Sequence, residues 1–438
     1  MQTLIERPHL ADCCPFLQAE IGRFLPVMRG RKRPKADGGD QQKSAKNGRR
    51  PQQWLCAATG KCSCESLGFK PSRYASNVAI KYGYKSQSNL IGCNIPMVKV
   101  NVDQLRHRLA KIDQRRQYFE LKSEQPNRLA LHEVWRHEYL ASPYLIGASD
   151  DRVAERFRNI FLNVMEIGPS GKLCPVPMAE TDEYMQVFTH MLEEYGARVE
   201  GMPPDDIIKS AREPILRYFE HGTPIGITLF EGYTPPTTPV LVKYGKRQFL
   251  EPMFQTGDLR LANAGLYNDA GFLDAVRDDE TSRTFFIPTY KERLVGKTHV
   301  DFQGNRIEFA DDDIVLPLVF DDYYLFSLCE HIHYRMPTDF DADAAIVIRA
   351  PEIFKQRLIS SFLACFDDWV PMEGKVIYYD PYRDYSKFKI PEMAKHFGYA
   401  YQKEFRIAFR PRRPISTSLE PLFLSVGSMK DYADLIYL

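Results

Sequence analysis

Three residues near the C-terminus have the types and spacing to do chemistry together. Gln402, Glu404 and Arg406 alternate along Tyr399–Phe409, and a period of two sets them on one face with Tyr399, Tyr401, Lys403, Phe405, Ile407 and Phe409 on the other. The predicted element is a strand with an aromatic back and a polar front. A carboxylate on a rigid strand, flanked by an amide and a guanidinium, presents a fixed negative charge to a ligand. A second set is Cys329, His331 and His333, with Glu330 behind. If their strand continues they share one face, a workable geometry for metal ligands, and Asp321 or Asp322 would complete a metal-dependent hydrolase or nuclease.

Other motifs exclude common chemistries. His132 and His137 are five residues apart, whereas a zinc-protease helix needs its two histidines at i and i+4. Cys56, Cys62, Cys64 and Cys93 lack the paired Cys-x2-Cys spacing of structural zinc sites. Gly168-Pro-Ser-Gly-Lys172 lacks the four-residue gap of a phosphate loop, and no Gly-x-Gly-x-x-Gly follows a strand.

The elements that must position these residues divide the chain of 438 residues unevenly. Gly232–Pro239 carries three prolines in a Thr-rich run that enters neither a helix nor a sheet interior. Before it the pattern is helical: from Asn101 on, Val102, Leu105, Leu109 and Ile112 fall at helical spacing, with Arg106, Arg108, Lys111, Arg115 and Arg116 as a basic outer side. Further helices are predicted over Asp151–Met165, Thr181–Tyr195 and Pro204–His221. After it come short strands at Val240–Tyr244, Leu259–Ala262, Arg306–Phe309, Ile314–Val319, Tyr323–Cys329, Ala344–Arg349, Lys375–Tyr379 and Tyr399–Arg410, with helices at Arg247–Gln255 and Glu352–Phe366. The expected organisation is a basic, largely disordered arm over 1–55, a mainly helical domain over 56–231, a linker at 232–239 and an α+β domain over 240–438.

The net charge of +1 hides one asymmetry: residues 29–50 hold nine Lys and Arg against two Asp. Such an arm attracts nucleic acid or another acidic surface through counterion release, or serves only as a solubilising tail. Asp278-Asp-Glu280 and Asp311-Asp-Asp313 are expected to be solvated loops. The nine cysteines are unevenly spread and no leader of charged then apolar residues opens the chain, so a cytoplasmic protein with reduced thiols is expected. No apolar run reaches the roughly 18–20 residues a membrane span needs.

Within 240–430 the order of pieces carries a resemblance. Leu241-Val-Lys-Tyr-Gly245 is followed by a helix, then Gly257–Asp269 with its Tyr267-Asn268-Asp269 turn, then Tyr324–Cys329, the Glu404 strand and Leu422–Gly427. This resembles a large bacterial family, some of its members associated with abortive phage infection, in which a strand ending in Lys-Tyr, a Phe/Tyr-Asn-Asp turn and a late Glu-Tyr/Phe-Arg strand recur. That arrangement is in turn similar to the ADP-ribosyltransferase fold, a split pair of small sheets gripping NAD between them. One frame of the resemblance puts Tyr244 where polymerase-like members have His and makes Tyr267 the aromatic that stacks on nicotinamide. The other, toxin-like, frame takes Arg260, Ser327 and Glu404 as its Arg, Ser and Glu, with Gln402-Lys-Glu404 as the toxins' Gln-x-Glu. Glu404 is common to both.

The resemblance implies transfer of ADP-ribose from NAD to a macromolecule, with no metal required. Breaking the nicotinamide–ribose bond develops oxocarbenium character, which a carboxylate on a ribose hydroxyl stabilises. Glu404 would supply it and orient or deprotonate the acceptor. Arg260 would face the pyrophosphate, and Ser327, Tyr244 and Asn268 would bond or stack at the nicotinamide end. Two other classes compete: a non-enzymatic module binding nucleic acid or protein on a degenerate scaffold, and the metal hydrolase.

Overall fold

A computed structural model describes residues 101–438, apart from 125–128, 177–181, 200, 270, 272, 274, 276, 303–304, 310–311, 386–389 and 415–418. The basic arm at 29–50 and the cysteines from Cys13 to Cys93 lie outside the described residues. Those described belong to one compact unit.

Helices α1 (Val102–Ser123), α2 (Leu131–Ala141), α3 (Asp150–Asn163), α4 (Asp182–Val199) and α5 (Asp205–Leu216) follow the apolar periodicity of the sequence. A capping box opens α1, where Asn101 and Gln104 each accept the other's backbone N–H, at 2.8 and 3.1 Å. Leu105, Ile112 and Phe119 recur every seven residues and are buried. The basic outer side of α1 is largely neutralised by ion pairs. Arg106 pairs with Asp103, Arg116 with Asp113 and Glu120, and Arg115 reaches the buried Glu193 of α4 at 2.5 and 2.8 Å.

The remainder is built on an eight-stranded sheet, so the fold is α+β. Its strands are β1 (Leu241–Gly245), β2 (Asp258–Asn263), β3 (Tyr324–Cys329), β4 (Ala344–Ile348), β5 (Trp369–Lys375), β6 (Glu404–Pro411), β7 (Leu422–Ser425) and β8 (Ala433–Tyr437). The order β5-β6-β3-β1-β4-β8 forms the main path, and β2 pairs β7 on one side and β3 on the other. Its back face packs on helices α6 (Arg247–Thr256) and α7 (Pro351–Cys365), where Phe326, Ile407 and Phe409 meet Phe354, Leu358 and Phe362. Each such buried side chain stabilises by about 1.5–3 kcal/mol relative to exposure.

One edge of β3 is shared between two strands. Its beginning pairs β2 (Ala262 with Leu325, Asn263 with Tyr324), and its end pairs β1 at Val242 with Cys329. Helix α6 joins β1 to β2 and carries the chain out and back, so the sheet forks and no pairing is formed along Phe326–Leu328 on this edge. At its end Gly257, with φ of +82°, lets the turn approach Gly427 so closely that a Cβ would stand 2.3 Å from the Gly427 carbonyl oxygen.

The break expected at 232–239 does not separate two bodies. The segment is largely exposed, as its prolines dictate, but the Tyr233 hydroxyl is tied to Asp434 of β8 at 2.9 Å. Helix α3 is fastened to the C-terminal half through Arg156 on Asp380, and through Asn163, whose amide donates to the Phe397 carbonyl (3.0 Å) and accepts from the Tyr401 N–H (2.6 Å). The strand expected from Tyr399 begins only at Glu404. Residues Phe397–Gln402 are a 3-10 helix, and Lys403 turns the chain into β6 with a left-handed φ of +43°. The alternation holds from Glu404 on and fails before it, because α3 claims the backbone of 397–401.

Candidate functional site

Antiparallel pairing sets Glu404 opposite Cys329 and Arg406 opposite Ser327, so all four side chains share the front face of the sheet. A cavity of about 200 Å³ opens there, at the fork. Val242, Lys243 and Tyr244 of β1 line one side, Ser327 and Cys329 of β3 the floor, and Gln402, Glu404, Lys395, Glu280 and Tyr267 the other side.

Glu404 is buried and held at every approach but one. Its Oε1 accepts from Ser327 Oγ at 2.5 Å and Arg406 Nε at 2.8 Å, and its Oε2 accepts from Lys395 Nζ at 3.2 Å. A carboxylate has about four acceptor positions, so one remains on Oε2. Burial alone would raise its pKa; Arg406 and Lys395 outweigh that and hold the carboxyl well below the usual range. It is therefore an anion at any physiological pH. The backbone of Glu404 is fixed as well, its N–H donating to the Tyr378 hydroxyl at 2.8 Å.

Beneath Glu404 the guanidinium of Arg406, fully buried, grips Glu280 through two bonds of 2.9 and 2.8 Å and donates to the Glu392 carbonyl. Arg283 takes Glu280 from the other side at 2.7 Å, and Tyr323 donates to it at 3.2 Å. Glu280 thus belongs to the core, and the solvated loop expected at 278–280 is corrected: two arginines make its burial affordable. Asp313 is likewise buried, because Thr289 and Tyr382 donate to its carboxyl at 3.2 and 3.4 Å.

Of the seven residues that the resemblance assigns to an NAD site, five line the cavity: Tyr244, Tyr267, Ser327, Gln402 and Glu404. Gln402 donates to the Ala275 carbonyl at 2.7 Å and accepts from Lys395 at 3.1 Å. Tyr267 is carried by a 3-10 turn, Ala264–Asn268, which Asp322 pins by accepting from Gly265 N and Asn263 Nδ2 at 2.9 and 3.0 Å. Tyr244 accepts from the His333 N–H at 2.8 Å. Arg260 and Asn268 are exposed and do not line the cavity. Arg260 alternates with the buried Leu259 and Leu261, and so points away from the core.

The metal arrangement does not form. The strand stops at Cys329, Asp322 is engaged in the turn, and among the described residues no three His, Cys, Asp or Glu side chains converge to hold a metal ion. Burial pushes the Cys329 thiol up to about 12, with the charge of Glu404 adding to the effect, so it is a protonated wall group.

Lys395, Lys243 and Glu280 were not singled out by the sequence reading. Lys395 sits on a short strand, Ala394–His396, inside a stretch without clear periodicity. Lys243 lay in view beside Tyr244, and its sign was a charged residue inside an otherwise apolar strand, Val240–Tyr244. No described helix is long and apolar enough to cross a membrane. Comparison of the chain with family models, with curated proteins and with solved structures gave no match.

Proposed function

We propose that the chain is an ADP-ribosyltransferase that consumes NAD, with Glu404 at its centre. The observation that carries this reading is the forked-sheet cavity in which a carboxylate paired with Arg406 and Lys395 keeps one acceptor position free, with the aromatic ring of Tyr267 in the same lining. The non-glycine Lys403 in a left-handed conformation next to Glu404 adds to it, since backbone strain of this kind clusters where a side chain must be aimed.

The nicotinamide-ribose end of NAD would enter the cavity. Ligand sites for whole drug-sized molecules span roughly 300–1,000 Å³, so the adenylate half stays outside. The bond from ribose C1′ to nicotinamide breaks with its electron pair leaving on nicotinamide. Glu404 accepts the ribose 2′-hydroxyl and stabilises the positive charge growing on the ring. A nucleophilic oxygen or nitrogen of a macromolecular acceptor then bonds to C1′, and its proton passes to solvent. Ser327, Arg406 and Lys395 keep the carboxylate in place. A role in phage defence or as a toxin rests on the family resemblance alone.

Nicotinamide release from NAD and label transfer into lysate, by wild type and by Glu404→Gln, test the reading. Turnover by wild type that falls by about 100-fold or more in the variant, as when a charge-stabilising group is lost, supports it. Folded wild type with no turnover, in lysates with and without phage infection, leaves the binding-module reading in its place.

A further inference from the structure

We propose that the cavity is an anion site in which Lys243 receives a phosphoryl group of the ligand. The inference goes beyond NAD chemistry and stands on the charge balance around the fork.

Lys243 crosses the gap between β1 and β3. Its ammonium donates to the Ser327 carbonyl at 2.8 Å, a backbone acceptor for which the fork supplies no strand partner, and lies 4.5 Å from the centre of the Phe326 ring. An ammonium has three N–H donors, and only one is spent. Among the described residues no carboxylate stands within ion-pair distance of it; Glu404, the acid whose charge reaches it across the cavity, is already engaged by Ser327, Arg406 and Lys395. Burial lowers its pKa, as expected of a cation without a close counter-charge.

The surrounding network does not offset this charge. Arg283, Arg406 and Lys395 face Glu280 and Glu404, and the remaining acid, Asp278, is pushed upward by its own burial and by Glu280. Asp278 Oδ2 has no hydrogen-bond partner. Among the described residues, even with Asp278 ionised, four cations stand against three carboxylates, and the excess falls on Lys243, which lines the cavity. A half-buried ammonium whose one bond goes to a neutral carbonyl is electrostatically unanswered, and an anionic ligand group would answer it. A compact ammonium with two free donors suits a phosphate oxygen as a point charge.

Calorimetric titration of the full chain with inorganic phosphate, pyrophosphate and ADP-ribose tests this, with Lys243→Gln as the variant that retains a donor for Ser327. Wild type should bind at least one of the three, and Lys243→Gln should bind it about 10-fold or more weakly, the worth of a lost charge-assisted bond. Preference for ADP-ribose marks a phosphate ester as the ligand, and equal binding of all three marks a free phosphate group. A measurement without a variant runs beside it: acylation of Lys243 in wild type, followed by mass spectrometry, should slow when pyrophosphate is present. No binding of any of the three at millimolar concentration, or binding and acylation both indifferent to Lys243, overturns the proposal. NAD turnover is read separately. Anion binding that depends on Lys243 without NAD turnover sinks the transferase and leaves the anion site, and turnover by wild type and Lys243→Gln alike does the reverse.

Discussion

Two buried charge clusters in this molecule differ in one respect that separates scaffold from site. At the junction of helices and sheet, Arg156 meets Asp380 through two bonds of 2.9 and 2.5 Å, and the guanidinium is enclosed by the rings of Tyr144, Tyr382 and Phe397. Burial would raise the Asp380 carboxyl, but Arg156 holds it below the usual range. Cation and anion answer each other directly, and aromatic faces close around the guanidinium. At the fork the cluster is as deeply buried around Arg406 and Glu280, yet one side lines a cavity, Glu404 keeps an acceptor position free and Lys243 has no counter-ion among the described residues. The closed cluster holds two parts of the chain together. The open one is prepared for something from outside.

The contrast is broken most severely at the closed cluster. Arg156→Ala leaves Asp380 charged and buried, and should cost about 3–5 kcal/mol of folding stability by denaturant titration. A loss under 1 kcal/mol would show that this pair is no fastening. At the rim of the same cluster, burial and then the neighbouring Asp312 push Asp313 up to about 6, above its unfolded value near ~3.9. The folded state therefore holds this proton more tightly, so the stability it contributes is full below the unfolded value and is lost as pH rises towards 6. Asp313→Asn should be as stable as wild type near pH 4 and up to about 3 kcal/mol more stable at pH 7, at about 1.4 kcal/mol for each pKa unit. A difference that is flat between these pH values would refute the shift.

At the open cluster, Ser327→Ala removes a donor from an anion that keeps Arg406 and Lys395, so about 1.5–3 kcal/mol of transition-state or ligand binding should go, with folding changed less. Turnover that survives intact while the melting temperature falls would make this cluster a second scaffold. The smallest effect is expected from Arg260→Ala. Its exposed side chain lies outside the cavity, and stability should stay within about 0.5 kcal/mol, with ligand affinity unchanged. A substantial loss of NAD turnover there would restore the toxin-like placement of its arginine.

Much of the architecture was legible in the chain because it is periodic. The apolar spacing of α1 and α3 and the run Ile314–Val319 fold as their patterns dictate, and α7 lies within a residue of its expected bounds. Trp369–Lys375 was not found: it contains Pro371 and Gly374, and it is admitted as a strand because it pairs at the sheet edge, along β6 alone. In the same way the aromatic run before Glu404 resembles a strand by alternation, and only α3 makes it a 3-10 helix.

By itself the sequence determined that Glu404 and Arg406 share a face opposite Phe405, Ile407 and Phe409, since two-residue alternation is a property of the strand. It also determined that no phosphate loop or zinc-protease helix is present. Only the tertiary structure decided which charges are buried and who answers them: Arg406 finds Glu280 at a separation of 126 residues, Arg156 finds Asp380 at 224, and Lys243 meets the Ser327 carbonyl across the fork. Charge pairing depends on distance in space and on excluded water, and local periodicity carries neither.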